Sequence, residues 1–236
     1  MLSAAIFDLD GTLVDFHFDG VSAKRALLTR IAELGVDAKV SEADPTQTIF
    51  DKVYAKLSSN GASSKIEAVR KELYRILDYY ELQASPKILL KENALETLET
   101  LKDDVALALV TNSGRKPADQ ILRKHRIEKF FKVTVTRDDM TRLKPRGDGI
   151  AMAVSMLNVD VSEAIYIGDS VYDIRAAREA NVMVAAVVGG VHNTERLIKE
   201  EPDIVINDIA VVPSMLKRLR QINSPADAKR RNGVSG

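Results

Sequence analysis

Six short apolar runs, most of them ending abruptly in a polar cluster, constrain this chain more than any other feature of its sequence. Ala4-Ala5-Ile6-Phe7 runs into Asp8-Leu9-Asp10-Gly11-Thr12, residues 105–110 into Thr111-Asn112-Ser113-Gly114, and residues 164–167 into Gly168-Asp169-Ser170. Residues 133–135, followed by polar residues and Lys144-Pro145, and residues 182–188 and 203–206 complete the set. Most of these runs are short and continuously apolar, which suits strands buried on both faces, as in a parallel sheet. Amphipathic stretches near 117–125, 147–157 and 171–180 lie between them, so strand and helix alternate. That alternation predicts an α/β fold with a doubly wound parallel sheet. The polar clusters then collect at the carboxyl ends of the strands, where open parallel sheets bind ligands.

Residues 21–82 interrupt the alternation, being rich in helix formers and lacking a β run. Leu27, Leu28, Ile31 and Leu34 recur at helical spacing and predict core contacts of an inserted helical domain. Ser58-Ser59-Asn60-Gly61-Ala62-Ser63-Ser64 reads as a turn between two of its helices, and Ala84-Ser85-Pro86 as the return linker. The expected organisation is a core formed by residues 1–16 and 86–222, a helical domain over 17–85, and a small, polar, basic tail over 223–236 that reads as flexible.

A length of 236 residues suffices for such a core with an insert. Lys plus Arg and Asp plus Glu balance at 34 each, so no net field favours nucleic acid or an anionic membrane surface, and an anion must be captured locally. The absence of cysteine removes disulfides and thiolate metal sites and fits a reducing, cytoplasmic setting. No apolar run is long enough to span a bilayer. His17, His125 and His192 show no metal-ligand spacing and read as surface or hinge residues.

Asp8 and Asp10 flank a single residue at a strand end, so both carboxylates can project toward one side of the turn. Two negative charges held that close are costly unless a cation neutralises them or one group stays protonated, and a site with oxygen ligands only points to Mg2+ as the cation. Asp8-Leu9-Asp10-Gly11 taken alone is equally compatible with a simple turn. Asp169 and Asp173, spaced i,i+4 across a helix start near Ser170, can face one cation; taken alone, Gly168-Asp169-Ser170 reads more readily as a helix cap.

With an apolar strand before it, Asp8-Leu9-Asp10-Gly11-Thr12-Leu13 resembles the first signature of the haloacid dehalogenase-like superfamily. Thr111-Asn112 resembles its second motif, Lys144-Pro145 its third, and Gly168-Asp169-Ser170-Val171-Tyr172-Asp173 its acidic fourth, all in order. The third motif departs from the usual pattern in running into Arg146-Gly147-Asp148 instead of a second proline. The resemblance implies a Rossmann-like core, with the insert between the first and second motifs acting as a helical cap over small substrates. It implies a Mg2+-dependent phosphatase acting on a small phosphorylated metabolite, phosphoglycolate or a sugar phosphate. Asp8 would be the nucleophile, and Asp10 the acid and base whose backbone carbonyl also ligates metal. Thr111, Asn112 and Lys144 would bind the phosphoryl group, with Asp8 and Asp169 as further metal ligands and Asp173 as a ligand or a partner of one.

Two other readings share these residues. A sugar-phosphate mutase of the same superfamily would return the phosphoryl group to sugar; His17 is the one candidate for its hinge histidine. A receiver-like phosphoprotein would be phosphorylated on Asp without turnover, although the large helical insert does not suit a receiver. The chain is expected to act as a monomer or homodimer, with neither a nucleic-acid nor a membrane partner.

Overall fold

A computed structural model describes residues 1–15 and 17–222. The tail expected over 223–236, and Phe16 at the expected domain boundary, lie outside the described residues. No described helix is long and apolar enough to cross a membrane.

The chain divides into two compact units. Among the described residues, the first comprises 1–15, 89–112 and 122–222, and the second 17–88 with 113–121. The first unit is built on a six-stranded parallel sheet: β1 (Ala4–Phe7), β2 (Ala106–Val110), β3 (Val133–Val135), β4 (Ala164–Gly168), β5 (Met183–Val187) and β6 (Ile204–Ile206), in the order β3-β2-β1-β4-β5-β6. All six expected strands are present. β1 and β4 are buried at every position, which explains why their sequences are continuously apolar instead of alternating.

β1 lies at the centre, with Ile6 paired to Ala108 of β2 on one side and to Tyr166 of β4 on the other. The sheet winds outward in opposite directions from β1 and β4, so a crevice opens beyond their carboxyl ends. The ladder continues one residue past β1, where the Asp8 amide donates to the Ile167 carbonyl at 2.9 Å. The first catalytic candidate therefore stands on a rigid element and not on a free loop.

Helices α6 (Asp148–Leu157) and α7 (Val171–Glu179) cover the strands, α6 against β1, β2 and β3 and α7 against β4 and β5. The alternation also supports α5 (Arg115–Lys124). Three helices go beyond the sequence pattern: α4 (Ala94–Leu101), α8 (Thr194–Lys199) and α9 (Val212–Ile222). α4 and α9 pack on one another.

The second unit contains α1 (Gly20–Glu33), α2 (Thr46–Ser59) and α3 (Ile66–Ala84), and α3 packs against both of the others. Leu27 and Ile31 are buried, joined by Ile49, Phe50, Val53, Leu73 and Leu77. The Phe50 ring lies 5.5 Å from that of Tyr74. Arg30 Nε donates to Glu72 Oε1 at 2.9 Å, tying α1 to α3. Residues 113–121 join this unit, and the Gly114 amide donates to Glu81 Oε2 at 3.0 Å. That association links residues far apart in sequence and is invisible to periodicity.

Candidate active site

All seven site residues expected from the sequence lie in the first unit. Asp8, Asp169 and Asp173 are buried, and one carboxylate oxygen from each lies within 4.8 Å of the others. Asp8 directly follows β1, Asp169 directly follows β4 and Asp173 sits in the first turn of α7, so three elements deliver three carboxylates to one point.

Lys144 enters the same cluster from the loop before α6. Its Nζ donates to Asp8 Oδ1 at 2.5 Å, to Asp173 Oδ1 at 2.7 Å and to the Tyr166 hydroxyl at 3.0 Å. Only 6% of Lys144 is exposed, so these contacts replace its water almost completely. Burial pulls against the ammonium, but the charges of Asp173 and Asp8 outweigh it and hold Lys144 protonated well beyond its ordinary range. Burial pushes the Asp8 carboxyl well above the usual range; Lys144 opposes this, and Asp173, Asp169 and Asp10 reinforce it. One ammonium does not balance three buried carboxylates.

Asp169 is held from several directions. Thr12 Oγ1 donates to its Oδ1 at 2.9 Å, and the Val191 amide donates to its Oδ2. Gly11 (φ +91°) and Gly190 wall its carboxylate so closely that a Cβ at either position would overlap it. Asp173 completes a capping box on α7: the Ser170 amide and hydroxyl donate to its Oδ2 at 3.0 and 2.5 Å. The capping and cation-facing interpretations of this motif are therefore compatible, since Oδ2 caps the helix and Oδ1 faces Lys144.

The remaining expected residues are engaged within the chain. Thr111 Oγ1 donates to Asp10 Oδ2 at 3.2 Å. Asn112 grips the Lys144 backbone in both directions, Nδ2 donating to the carbonyl at 3.1 Å and Oδ1 accepting from the amide at 3.0 Å. Its amide thus positions Lys144. The Asp10 carboxylate is not among the three that converge. His192 departs from the surface or hinge position expected of it: it is buried, and its Nδ1 accepts from the Val171 amide at 3.4 Å. Burial, then Arg196, pushes its imidazole below the ordinary value.

Residues 5–187 match the family described as haloacid dehalogenase-like hydrolase. The chain belongs to that family. A phosphoglycolate phosphatase of Agrobacterium fabrum is 31% identical over 221 residues, spanning 91% of this chain and 93% of that protein. A pyrophosphatase PpaX of Oceanobacillus iheyensis is 28% identical over 210 residues, spanning 86% and 92%. The solved structure of a hydrolase from Pseudomonas syringae shares the fold, with a TM-score of 0.66 at 23% identity over 94% of this chain and 100% of that one. The expectation of an enzyme from this hydrolase family is therefore met.

The donor set of this haloacid dehalogenase-like site fits a hard metal ion. Its convergent ligands are carboxylates alone, the sequence contains no cysteine, and the cluster has excess negative charge. Thr12 and Tyr166 are site residues that sequence reasoning missed. Thr12 lies within the first motif and could have been singled out as a hydroxyl one turn beyond two acids; Tyr166 looks like one more hydrophobic residue of β4.

The electrostatics predict a pH effect on the metal-free protein. Burial, then Asp173, pushes the Asp169 carboxyl from 3.8 to about 6, against the Val191 and Thr12 hydrogen bonds. The folded state thus binds more protons than the unfolded state across that window, so stability contributed by this group is present at low pH and is lost as pH rises through about 6. In EDTA, the melting temperature of the wild type should fall relative to that of Asp169→Asn as pH rises through the window. Parallel curves would contradict the assignment.

Proposed function

We propose that this chain is a Mg2+-dependent phosphate-monoester hydrolase that acts on a small phosphorylated metabolite through an aspartyl phosphate. The observation that carries this reading is the convergence of Asp8, Asp169 and Asp173 within 4.8 Å, with the Lys144 ammonium 2.5 Å from Asp8. In this proposal Asp8, Asp169, Asp173 and the Asp10 backbone carbonyl hold the metal. When bound, the ion offsets the charge repulsion between the carboxylate cluster and an anionic ester.

An Asp8 carboxylate oxygen attacks phosphorus as the ester P–O bond breaks, and Asp10 gives its proton to the departing oxygen. Water then attacks the phosphorus of the acyl phosphate and passes a proton back to Asp10; the bond to Asp8 breaks and inorganic phosphate leaves. Lys144 offsets charge on the transferring phosphoryl oxygens. Thr111 orients Asp10, and Asn112 acts through the Lys144 backbone it grips. The helical unit inserted between the first and second motifs takes the part of a cap that selects the substrate. The cysteine-free sequence accords with a cytoplasmic setting.

A substrate panel tests this reading: 2-phosphoglycolate, sugar phosphates, inorganic pyrophosphate and p-nitrophenyl phosphate, each with Mg2+ and with EDTA. At least one monoester should be turned over steadily with Mg2+, and EDTA should abolish that activity. Conversion of a sugar 1-phosphate to its 6-phosphate without phosphate release would favour the mutase reading. Phosphorylation without turnover would favour the receiver-like one.

A further inference from the structure

Lys144 Nζ has three protons and four acceptors within reach: Asp8 Oδ1 at 2.5 Å, Asp173 Oδ1 at 2.7 Å, the Tyr166 hydroxyl at 3.0 Å and the Val110 carbonyl at 3.4 Å. The three shortest contacts use the three protons. The Tyr166 hydroxyl proton then goes to Asp173 Oδ1 at 3.0 Å or to Val110 O at 3.2 Å. Tyr166 is fully buried, so no water can replace its hydroxyl without a rearrangement.

The register places Tyr166 here. It pairs with Ile6, and in parallel strands the paired residues share a face that recurs every second position, so Tyr166 lies on the Asp8 side, one pair below it. Its ring also passes beneath the ammonium, with Nζ 5.6 Å from the centroid. Neither the four motifs nor the proposed mechanism assigns this side chain a task.

We infer that Tyr166 is a positioning residue, its hydroxyl holding the Lys144 ammonium between Asp8 and Asp173. Without that hydroxyl, the remaining acceptor among the described residues for the third Lys144 proton is the Val110 carbonyl at 3.4 Å, and reaching it draws Nζ away from Asp8. Ground-state binding of the substrate does not depend on the hydroxyl; alignment of Lys144 with the transferring group does. This inference rests on the proposed hydrolase reading for its kinetic part alone.

Tyr166→Phe tests it by two readouts. With p-nitrophenyl phosphate and Mg2+, kcat should fall about tenfold while KM stays within about twofold, the size expected for losing one hydrogen bond to a charged group. In 15N spectra of the metal-free protein, a slowly exchanging ammonium signal, assigned by its loss in Lys144→Met, should be displaced in Tyr166→Phe. Unchanged kcat, or a loss of kcat with the Lys144 signal unmoved, overturns the inference; the second pattern means that the hydroxyl acts through packing alone. If the wild type hydrolyses no ester, the hydrolase reading fails and the ammonium signal alone decides the role of Tyr166. Should Tyr166→Phe not fold, the wild-type NOE between the Lys144 ammonium and the Tyr166 ring decides: its presence supports the contact and its absence overturns it.

Discussion

Asp8→Asn should lower phosphatase turnover by a factor on the order of 10⁴–10⁶, the scale seen when the group that forms a covalent intermediate is removed. The amide has nearly the volume of the carboxylate and occupies the same buried place at the end of β1, so lost packing will not explain the effect. It lacks the charge that makes the oxygen a nucleophile. Steady-state assays with any substrate that the wild type hydrolyses would measure the loss. Because Asp8 is one of three buried carboxylates facing a single ammonium, the same substitution should leave the metal-free protein at least as stable as the wild type at neutral pH. An inactive and clearly destabilised Asp8→Asn would mean that the Lys144 contact matters more to the fold than the repulsion does.

Lys144→Met should have the largest effect on stability, about 3–5 kcal/mol, the range for breaking a buried ion pair from one side. Asp8 and Asp173 would lose their common counter-charge at 2.5 and 2.7 Å while remaining buried. The sign of its pH dependence follows. Lys144 opposes the upward push of burial on the Asp8 carboxyl, so without the ammonium the folded variant binds more protons at Asp8 and should recover stability on acidification. Added Mg2+ should restore part of the loss at neutral pH by supplying positive charge to the same carboxylates. Denaturant unfolding at two pH values, with and without Mg2+, measures all three effects. A loss that neither acid nor Mg2+ relieves would place the role of Lys144 in packing instead.

The sheet was legible because its central strands, buried on both faces, produce short, unbroken apolar runs; the two edge strands, β3 with Thr134 and β6 with the exposed Val205, carry a weaker signal, yet all six expected strands are present. The inserted helices were legible through the spacing of Leu27, Leu28, Ile31 and Leu34, of which Leu27 and Ile31 are buried while Leu28 and Leu34 are half-buried. Helix α8, only six residues long, carries too few turns for a period to emerge. The acidic motifs announced the carboxylate cluster because like charges at a strand end demand an explanation. Their partners were less visible. Lys144 meets Asp8 across 136 residues, and the Thr12 contact to Asp169 spans 157. Tyr166 is hidden for another reason: an aromatic body satisfies the apolar pattern of β4, while its function lies in one polar atom at the tip. Asn112 was read as facing substrate, yet its amide matches the two backbone groups of Lys144 in both directions. Residue type indicated the chemistry, and only the fold indicated the target.

The most direct test of the account is to locate the phosphoryl group in a reaction stopped by acid. Wild-type protein mixed with substrate and Mg2+, quenched within a single turnover and digested for mass analysis, should yield one phosphorylated peptide, with the group on Asp8. The adduct should be absent in EDTA and in Asp8→Asn. A phosphoryl group on any other residue, or full turnover by Asp8→Asn, would contradict the claim that the carboxylate at the end of β1 attacks phosphorus.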